Sequence, residues 1–252
     1  MCGIAGLAGT APDREVLEKM AAAIAHRGPD AEGFLIDSQA GLAFRRLSII
    51  DVAGGDQPIF NEDESMAIIL NGEIYNHHEL RNGLILRGHR FRTHSDVETV
   101  LHLWEERGED ALRDLRGMFA FAIWNRKDRS LLLARDRVGK KPLYYAKLPG
   151  GGIVFGSEIK AILQHPDVRR GPDVNALDQF LTLQYVPSPM TAFAGIERLR
   201  PAHWLRWRDG RIETRRYWRL EYEQKLQGSE EELREELLRL LRMTSTALSG
   251  EP

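Results

Sequence analysis

The sequence predicts an α+β protein in which antiparallel sheets are covered by helices. The short apolar runs in the middle of the chain arrive in consecutive pairs, tight turn signals join the partners, and the helical patterns lie between pairs rather than after every strand. A doubly wound parallel sheet needs a long crossover after each strand, which paired strands do not supply.

Taken in order, Val16, Leu17, Met20 and Ile24 recur at helical spacing, and Gly28-Pro29 stops that helix. Gly41–Ile50 and Met66–Ile74 read as strands ending in polar residues, and a second helix starts near Asn76. A third opens at Ser95, where Ser95 and Glu98 have capping-box spacing and Val97, Leu101 and Trp104 share a face. Phe119–Trp124 and Leu131–Ala134 form a hairpin across Arg126-Lys127-Asp128-Arg129. Leu143–Lys147 and Ile153–Gly156 pair across a glycine run. Asp209-Gly210 marks a late hairpin between Trp204–Trp207 and Ile212–Trp218. A last helix is capped at Ser229, with Glu232 at the matching position and Leu233, Leu237, Leu240 and Leu241 on one face.

The 252 residues are 42% hydrophobic, enough for one sizeable core in one or two domains. A net charge of −2, with basic and acidic residues interspersed, calls for no nucleic acid. No run is long enough to span a bilayer and no basic segment precedes the short apolar start, so the expected location is cytoplasmic. The one cysteine excludes an internal disulfide. The eight histidines show no metal-ligand spacing, and the adjacent His77-His78 is expected to be solvated, so no metal is expected.

That cysteine is Cys2, directly after the initiator methionine. Loss of Met1 leaves a residue carrying both a thiol and an α-amino group, whose ordinary pKa of about 8 leaves part of it neutral and able to take the thiol proton. A cysteine near a terminus can equally be a small buried hydrophobe. The segments around it decide between the two.

Met1-Cys2-Gly3-Ile4-Ala5-Gly6, His26-Arg27-Gly28-Pro29-Asp30, Arg46-Leu47-Ser48-Ile49-Ile50-Asp51, Asn71-Gly72-Glu73-Ile74-Tyr75-Asn76 and Ser95-Asp96 follow one another along the chain. Gly117-Met118-Phe119-Ala120-Phe121-Ala122, Ala134-Arg135-Asp136-Arg137, Lys141-Pro142-Leu143-Tyr144-Tyr145 and Gly156-Ser157-Glu158-Ile159-Lys160-Ala161 come after them. In this order they resemble the glutaminase half of glutamine-dependent asparagine synthetases, class II amidotransferases of the N-terminal-nucleophile hydrolase type. The resemblance runs from Cys2 to about Trp218 and implies a four-layer αββα sandwich. It sets a glutaminase domain at 2–218 and a linker and helix at 219–252, the stub of an ATP-dependent synthetase domain.

The resemblance also implies roles. Cys2 is the nucleophile, and Asn71 and Gly72 form the oxyanion hole. Arg46 holds the substrate carboxylate, which a guanidinium can grip with two parallel bonds. Leu47, Ser48, Ile49 and Ile50 lie in the substrate-contacting stretch, where backbone groups bind. Glu73 lines the site, and Asp96 receives the α-ammonium group while also suiting a helix start. His26 to Asp30 forms a loop over the nucleophile with no catalytic step assigned. Phe44 stands where the family usually has His, Ala202 where Gly is common, and Ala25 where Arg is frequent.

Glutamine hydrolysis needs no cofactor. ATP and Mg belong to the family's synthetase domain, whose nucleotide loop is absent, with Leu248-Ser249-Gly250 at most its beginning. The expected activity is hydrolysis of glutamine to glutamate and ammonia, with a synthetase domain or subunit as the ammonia acceptor. The alternatives are a non-catalytic glutamine-binding module and an ammonia-delivering subunit that needs a separate synthetase chain.

Overall fold

The computed structural model describes residues 1–48, 55–223 and 225–249. In chain order the elements are β1 (Gly3–Ala8), α1 (Arg14–Ala23), β2 (Ala31–Ile36), β3 (Ala40–Arg46), β4 (Ile59–Phe60), β5 (Met66–Ile74), α2 (His77–Leu86), α3 (Asp96–Arg107) and α4 (Ala111–Asp114). There follow β6 (Gly117–Asn125), β7 (Ser130–Arg135), β8 (Tyr144–Lys147), β9 (Ile153–Gly156), α5 (Ile159–Ile162), α6 (Val174–Leu183), β10 (Ile196–Arg198), β11 (His203–Arg208), β12 (Arg211–Arg216) and α7 (Glu230–Ser249).

The strands make two six-stranded sheets, β10-β8-β9-β1-β3-β2 and β12-β11-β7-β6-β5-β4, and every paired strand is antiparallel. The pleat sends alternate side chains to opposite faces. Ile4, Leu42, Phe44 and Phe155 of the first sheet meet Ile69, Ala122, Trp124 and Leu133 of the second in a core between the sheets. On the outer face of the first sheet, Leu7, Ala43 and Val154 pack on Leu17 and Met20 of α1 and Ile162 of α5. On the outer face of the second, Ile68, Phe121 and Leu132 pack on Val100, Leu101 and Leu103 of α3, Leu84 of α2 and Leu112 of α4. The result is the αββα sandwich.

Burial on both faces explains what the pattern conceals. β1 is buried at all six positions and built largely from small residues, so it shows no alternation, and it was not expected as a strand. It lies inside its sheet, between β3 and β9. β2, β4, β10 and α6 were also not expected; α6 is capped by Asp173, whose Oδ1 accepts from the Asn175 and Ala176 N–H groups. The strand expected to reach Ile50 ends at Arg46: Leu47 and Ser48 leave the ladder, and Ile49 and Ile50 lie outside the described residues.

The hairpins stand where expected. Asn125 pairs with Ser130 and Arg208 with Arg211, the latter across Asp209 and Gly210, both at positive φ. Ala202 has φ +57 and is buried, so glycine's usual place there answers a left-handed backbone. The methyl in the core offsets a conformational cost of about 1 kcal/mol.

Tyr217 closes the sandwich by donating its hydroxyl to the Arg135 carbonyl at 2.9 Å. The described side chains from Arg219 to Thr244 are exposed. α7 carries the expected capping box, with Ser229 N donating to Glu232 Oε2 and Glu232 N donating to Ser229 Oγ. Its leucine face stands in solvent rather than folding back on the core. Among the described residues no helix is long and apolar enough to cross a membrane.

Candidate active site

Cys2 lies one residue ahead of β1. The Gly3–Arg45 pair that begins the β1–β3 ladder carries Cys2 to the end of β3, beside Arg46 and Leu47. There the Leu47 N–H donates to Cys2 Sγ at 3.4 Å and the thiol donates to the Leu47 carbonyl at 3.6 Å. Ser157 holds the start of β1 from its far side: Ile4 N donates to Ser157 Oγ at 3.0 Å, and Ser157 N to the Ile4 carbonyl at 2.8 Å.

Arg27 completes the mount. Its Nε donates to the Cys2 carbonyl at 3.0 Å and its Nη1 to Glu158 Oε1 at 3.0 Å. The Asn71 amide satisfies both neighbours when its nitrogen donates to that same carbonyl at 2.9 Å and its oxygen accepts from Arg27 Nη2 at 3.3 Å. The His26–Asp30 segment therefore braces the Cys2 backbone from beside it, a role that sequence reasoning did not assign to Arg27.

Asn71, Gly72 and Glu73 are consecutive on β5, opposite Ala120, Phe119 and Met118 of β6. Gly72 is required by close approach: a Cβ there would sit 2.1 Å from the Met118 carbonyl oxygen and 2.7 Å from Phe119 Cα. Gly72→Ala is therefore expected to push β5 away from β6. A cost of about 2 kcal/mol or more, seen as a fall of several degrees in Tm, is the outcome that thermal unfolding checks.

Asp96 opens α3 and is 4% exposed. Its Oδ2 accepts from Ile74 N at 2.8 Å, tying the helix start to the end of β5. Burial pushes its pKa up to about 6; the Ile74 N–H works against this and the Glu73 carboxylate adds to it. The capping box expected here is only half made. Ser95 Oγ accepts from Val97 N at 3.2 Å, but Glu98 turns away and accepts from the Arg92 and Thr93 N–H groups, leaving Thr93 Oγ1 to take Ser95 N.

Arg46, 5% exposed, donates from Nη1 to Asp56 Oδ1 at 2.6 Å. Cys2, Arg46, Asn71, Gly72, Glu73 and Asp96 all line one cleft, as does Leu47. Ser48 does not line it, and its N–H is taken by Asp30 Oδ2 at 2.8 Å. Phe44 sits in the inter-sheet core and forms part of the cleft wall.

Lys141 is a second residue to which the sequence reading gave no role. It is 5% exposed, lines the cleft and donates to Met1 Sδ at 3.3 Å. Burial and the nearby Arg27 cation push its pKa down, opposed by Cys2, Asp136 and Glu73. The Ala134–Arg137 segment positions it. Arg135 donates to the carbonyls of Lys141, Leu199 and Gly139, and Asp136 accepts from the N–H groups of Val138, Lys140 and Lys141. Both residues belong to the segments quoted for the resemblance, and that membership was the available signal. The expectation that His77 is solvated is corrected: it is buried beneath His78, and desolvation drives its pKa down to about 4.

Two facing antiparallel sheets between helical layers form the αββα sandwich of the N-terminal-nucleophile hydrolase type. The allosteric regulatory enzyme of purine biosynthesis shares it with a TM-score of 0.64 at 19% identity, over 86% of this chain and 49% of that one. Glutamine phosphoribosylpyrophosphate amidotransferase from B. subtilis shares it with a TM-score of 0.62, also at 19% identity and over 86% of this chain and 49% of that one.

Within that class the chain belongs to the glutamine amidotransferase domain family, which it matches over residues 1–218. It is 42% identical over 230 residues to asparagine synthetase [glutamine-hydrolyzing] 1 of Bacillus subtilis (strain 168), covering 88% of this chain and 36% of that protein. To the probable asparagine synthetase [glutamine-hydrolyzing] of Dictyostelium discoideum it is 44% identical over 167 residues, 64% of this chain and 30% of that one. The chain thus spans about a third of the length of these relatives.

Proposed function

We propose that the chain hydrolyses the side-chain amide of glutamine to glutamate and ammonia, with Cys2 as nucleophile once Met1 is removed. The observation that carries this reading is the convergence on one cleft of a cysteine, a buried arginine, a buried aspartate and an Asn-Gly pair. Those groups answer the needs of an α-amino acid amide. Arg46 takes the α-carboxylate and Asp96 the α-ammonium group, leaving the amide to face Cys2.

The sulfur attacks the amide carbon, and the thiol proton passes to the Cys2 amine. Charge developing on the amide oxygen falls to the second N–H of the Asn71 amide and the Gly72 N–H. Donors fixed in advance are worth far more here than mobile water. The tetrahedral adduct collapses as the amine returns the proton to the leaving nitrogen, releasing ammonia and a γ-glutamyl thioester. Water activated by the same amine then cleaves the C–S bond, giving glutamate and the thiol. Glutamine and water balance the reaction.

Met1 decides the test. While it is attached, the nitrogen of Cys2 is a peptide nitrogen without basicity, and Met1 itself occupies the wall of the cleft. Protein with Cys2 confirmed as its first residue is expected to release glutamate and ammonia in equal amounts, and the same chain with Met1 retained is expected to release neither. Equal rates from the two forms, or no rate from either, would overturn the amine's role or the activity. Arg46→Gln should raise KM for glutamine by about 100-fold, because a buried charge-assisted pair is lost, with kcat changed far less.

The relatives' names and the length they share with this chain motivate the rest of the reading: the ammonia is delivered to an asparagine-forming synthetase portion, where ATP and Mg would act. Exposed apolar side chains on α6 (Val174, Leu177, Phe180 and Leu181) and on α7 (Leu237 and Leu241) offer a surface for such a partner.

A further inference from the structure

A second cluster of chemistry-bearing side chains lies on the helical side of the second sheet. Glu62 comes from the β4–β5 turn, His89 from the α2–α3 connection, and His102 and Glu105 from α3. One ligand atom from each lies within 4.8 Å of the other three. His89 Nδ1 is 2.9 Å from Glu62 Oε1. His102 Nδ1 is 3.2 Å from Glu62 Oε2 and 3.7 Å from Glu105 Oε2. Ligands about 2.0–2.2 Å from a tetrahedral ion stand roughly 3.3–3.6 Å apart, inside that spread.

The surrounding groups hold these residues in a ligating orientation. His89 Nε2 faces Glu106 Oε1 at 3.5 Å and His102 Nε2 faces Glu98 Oε1 at 3.6 Å, so each imidazole turns Nδ1 toward the cluster and Nε2 toward an outer carboxylate. That carboxylate–imidazole–metal order fixes tautomer and ring direction at metal centres. The outer oxygens are already engaged. Glu105 Oε1 accepts from Asn61 Nδ2, Glu106 from Arg87 Nε, and Glu98 from the N–H groups of Arg92 and Thr93. Facing the centre are Glu62 Oε2, Glu105 Oε2 and the two imidazole Nδ1 atoms, of which His89 Nδ1 hydrogen-bonds Glu62 Oε1 at 2.9 Å, a contact the ion would replace.

His102 supplies an independent indication. It is 0% exposed, yet neither of its ring nitrogens makes a hydrogen bond of acceptable geometry. Its Nδ1 is itself shielded from solvent and stands 3.2 Å and 3.7 Å from two carboxylate oxygens, while its Nε2 is 3.6 Å from a third, so a neutral ring sets a lone pair against carboxylate charge. Positive charge between them removes that repulsion.

We propose that Glu62, His89, His102 and Glu105 bind a divalent first-row metal ion, Zn²⁺ by its mixed nitrogen and oxygen donors, as a structural clamp. The ion ties the β4–β5 turn and the α2–α3 connection to α3, the helix whose first residue is Asp96. Glu105, on the exposed side, gives it a path in.

The test uses the purified full chain, first stripped with a chelator and then incubated with Zn²⁺ or Co²⁺ and freed of excess. About one ion per chain is expected, with the visible absorption of tetrahedral Co²⁺ and a Tm about 5–10 °C above that of the stripped protein at saturating Zn²⁺. His102→Ala should lose the ion and the Tm response. Should that variant fail to fold, His89→Gln and Glu105→Gln, at less buried positions, should show the same loss. Substoichiometric metal with no Tm response, or metal retained in all three variants, would overturn the site and leave a proton-bridged network. The readout involves no glutamine, so its failure leaves the glutaminase reading untouched.

Discussion

Cys2→Ala is expected to lower glutamate release by about 10,000-fold or more, the scale of loss when a covalent nucleophile is removed. In the proposed mechanism the sulfur supplies the electron pair that forms the thioester, and no other thiol exists in the chain. The remaining groups still bind and polarise the amide, so glutamine affinity measured by calorimetry should survive in the variant. That combination separates lost chemistry from lost folding. The fold should tolerate the change, because Cys2 is only partly buried and precedes β1. Undiminished release from Cys2→Ala would remove the nucleophile from the mechanism altogether. Loss of binding together with activity would instead show that the sulfur, through its contacts with Leu47, shapes the site.

Asp96→Asn is expected to lower kcat/KM by about 100-fold or more above pH 7, chiefly through KM, because the substrate ammonium group loses a buried charged partner. The pH profile is the sharper test. Asp96 must be ionised to bind that group, and its pKa in the free protein is raised to about 6. The kcat/KM of the native protein should therefore fall as pH drops through 6, and this limb should be absent in Asp96→Asn.

Stability runs the opposite way. A carboxyl whose folded pKa lies above its unfolded value near 3.8 binds protons more tightly in the folded state, so the unliganded protein loses stability as pH rises from about 4 through 6. The loss is on the order of 3 kcal/mol, and Asp96→Asn should flatten it. Saturating glutamine should do the same in the native protein, since its ammonium group compensates the buried charge. Chemical denaturation at pH 5 and pH 8, between which about half of that loss falls, checks all three when run with and without glutamine. Equal stability at both pH values without ligand would sink the assignment.

In the proposed mechanism, ordering α3 against β5 serves substrate capture at some cost to the empty protein. The Ile74 N–H bond to Asp96 is the link. It places the acid that opens the helix on the wall of the cleft, where the proposed mechanism uses it. The macrodipole favours the charge, and burial makes it discriminating.

Local chemistry made much of this legible in the sequence. Asp209-Gly210 and the Arg126–Arg129 loop announce hairpins because turn conformations depend on the turn residues themselves. Ser229 and Glu232 announce α7 because a cap lies within one turn of its helix. The motif residues Cys2, Arg46, Asn71, Gly72, Glu73 and Asp96 were legible by resemblance, and all of them line the cleft. β1 was not legible, because a strand buried on both faces has no alternation to read, and α6 was missed with its apolar side chains in solvent.

By itself the sequence determined the α+β class, the turns, the caps and the identities of the motif residues that line the cleft. Only the tertiary structure decided that Arg27 grips the Cys2 carbonyl, that Lys141 stands at the cleft wall, and that Glu62 meets His89 and His102. Those partners are separated by 25, 140 and 27 or more residues, and sheet order rather than spacing brings them together. Side-chain periodicity reports which face of an element is buried. Which element lies across from that face depends on how the twelve strands of the described residues divide between two sheets, a choice settled by long-range packing and backbone pairing over the whole sandwich.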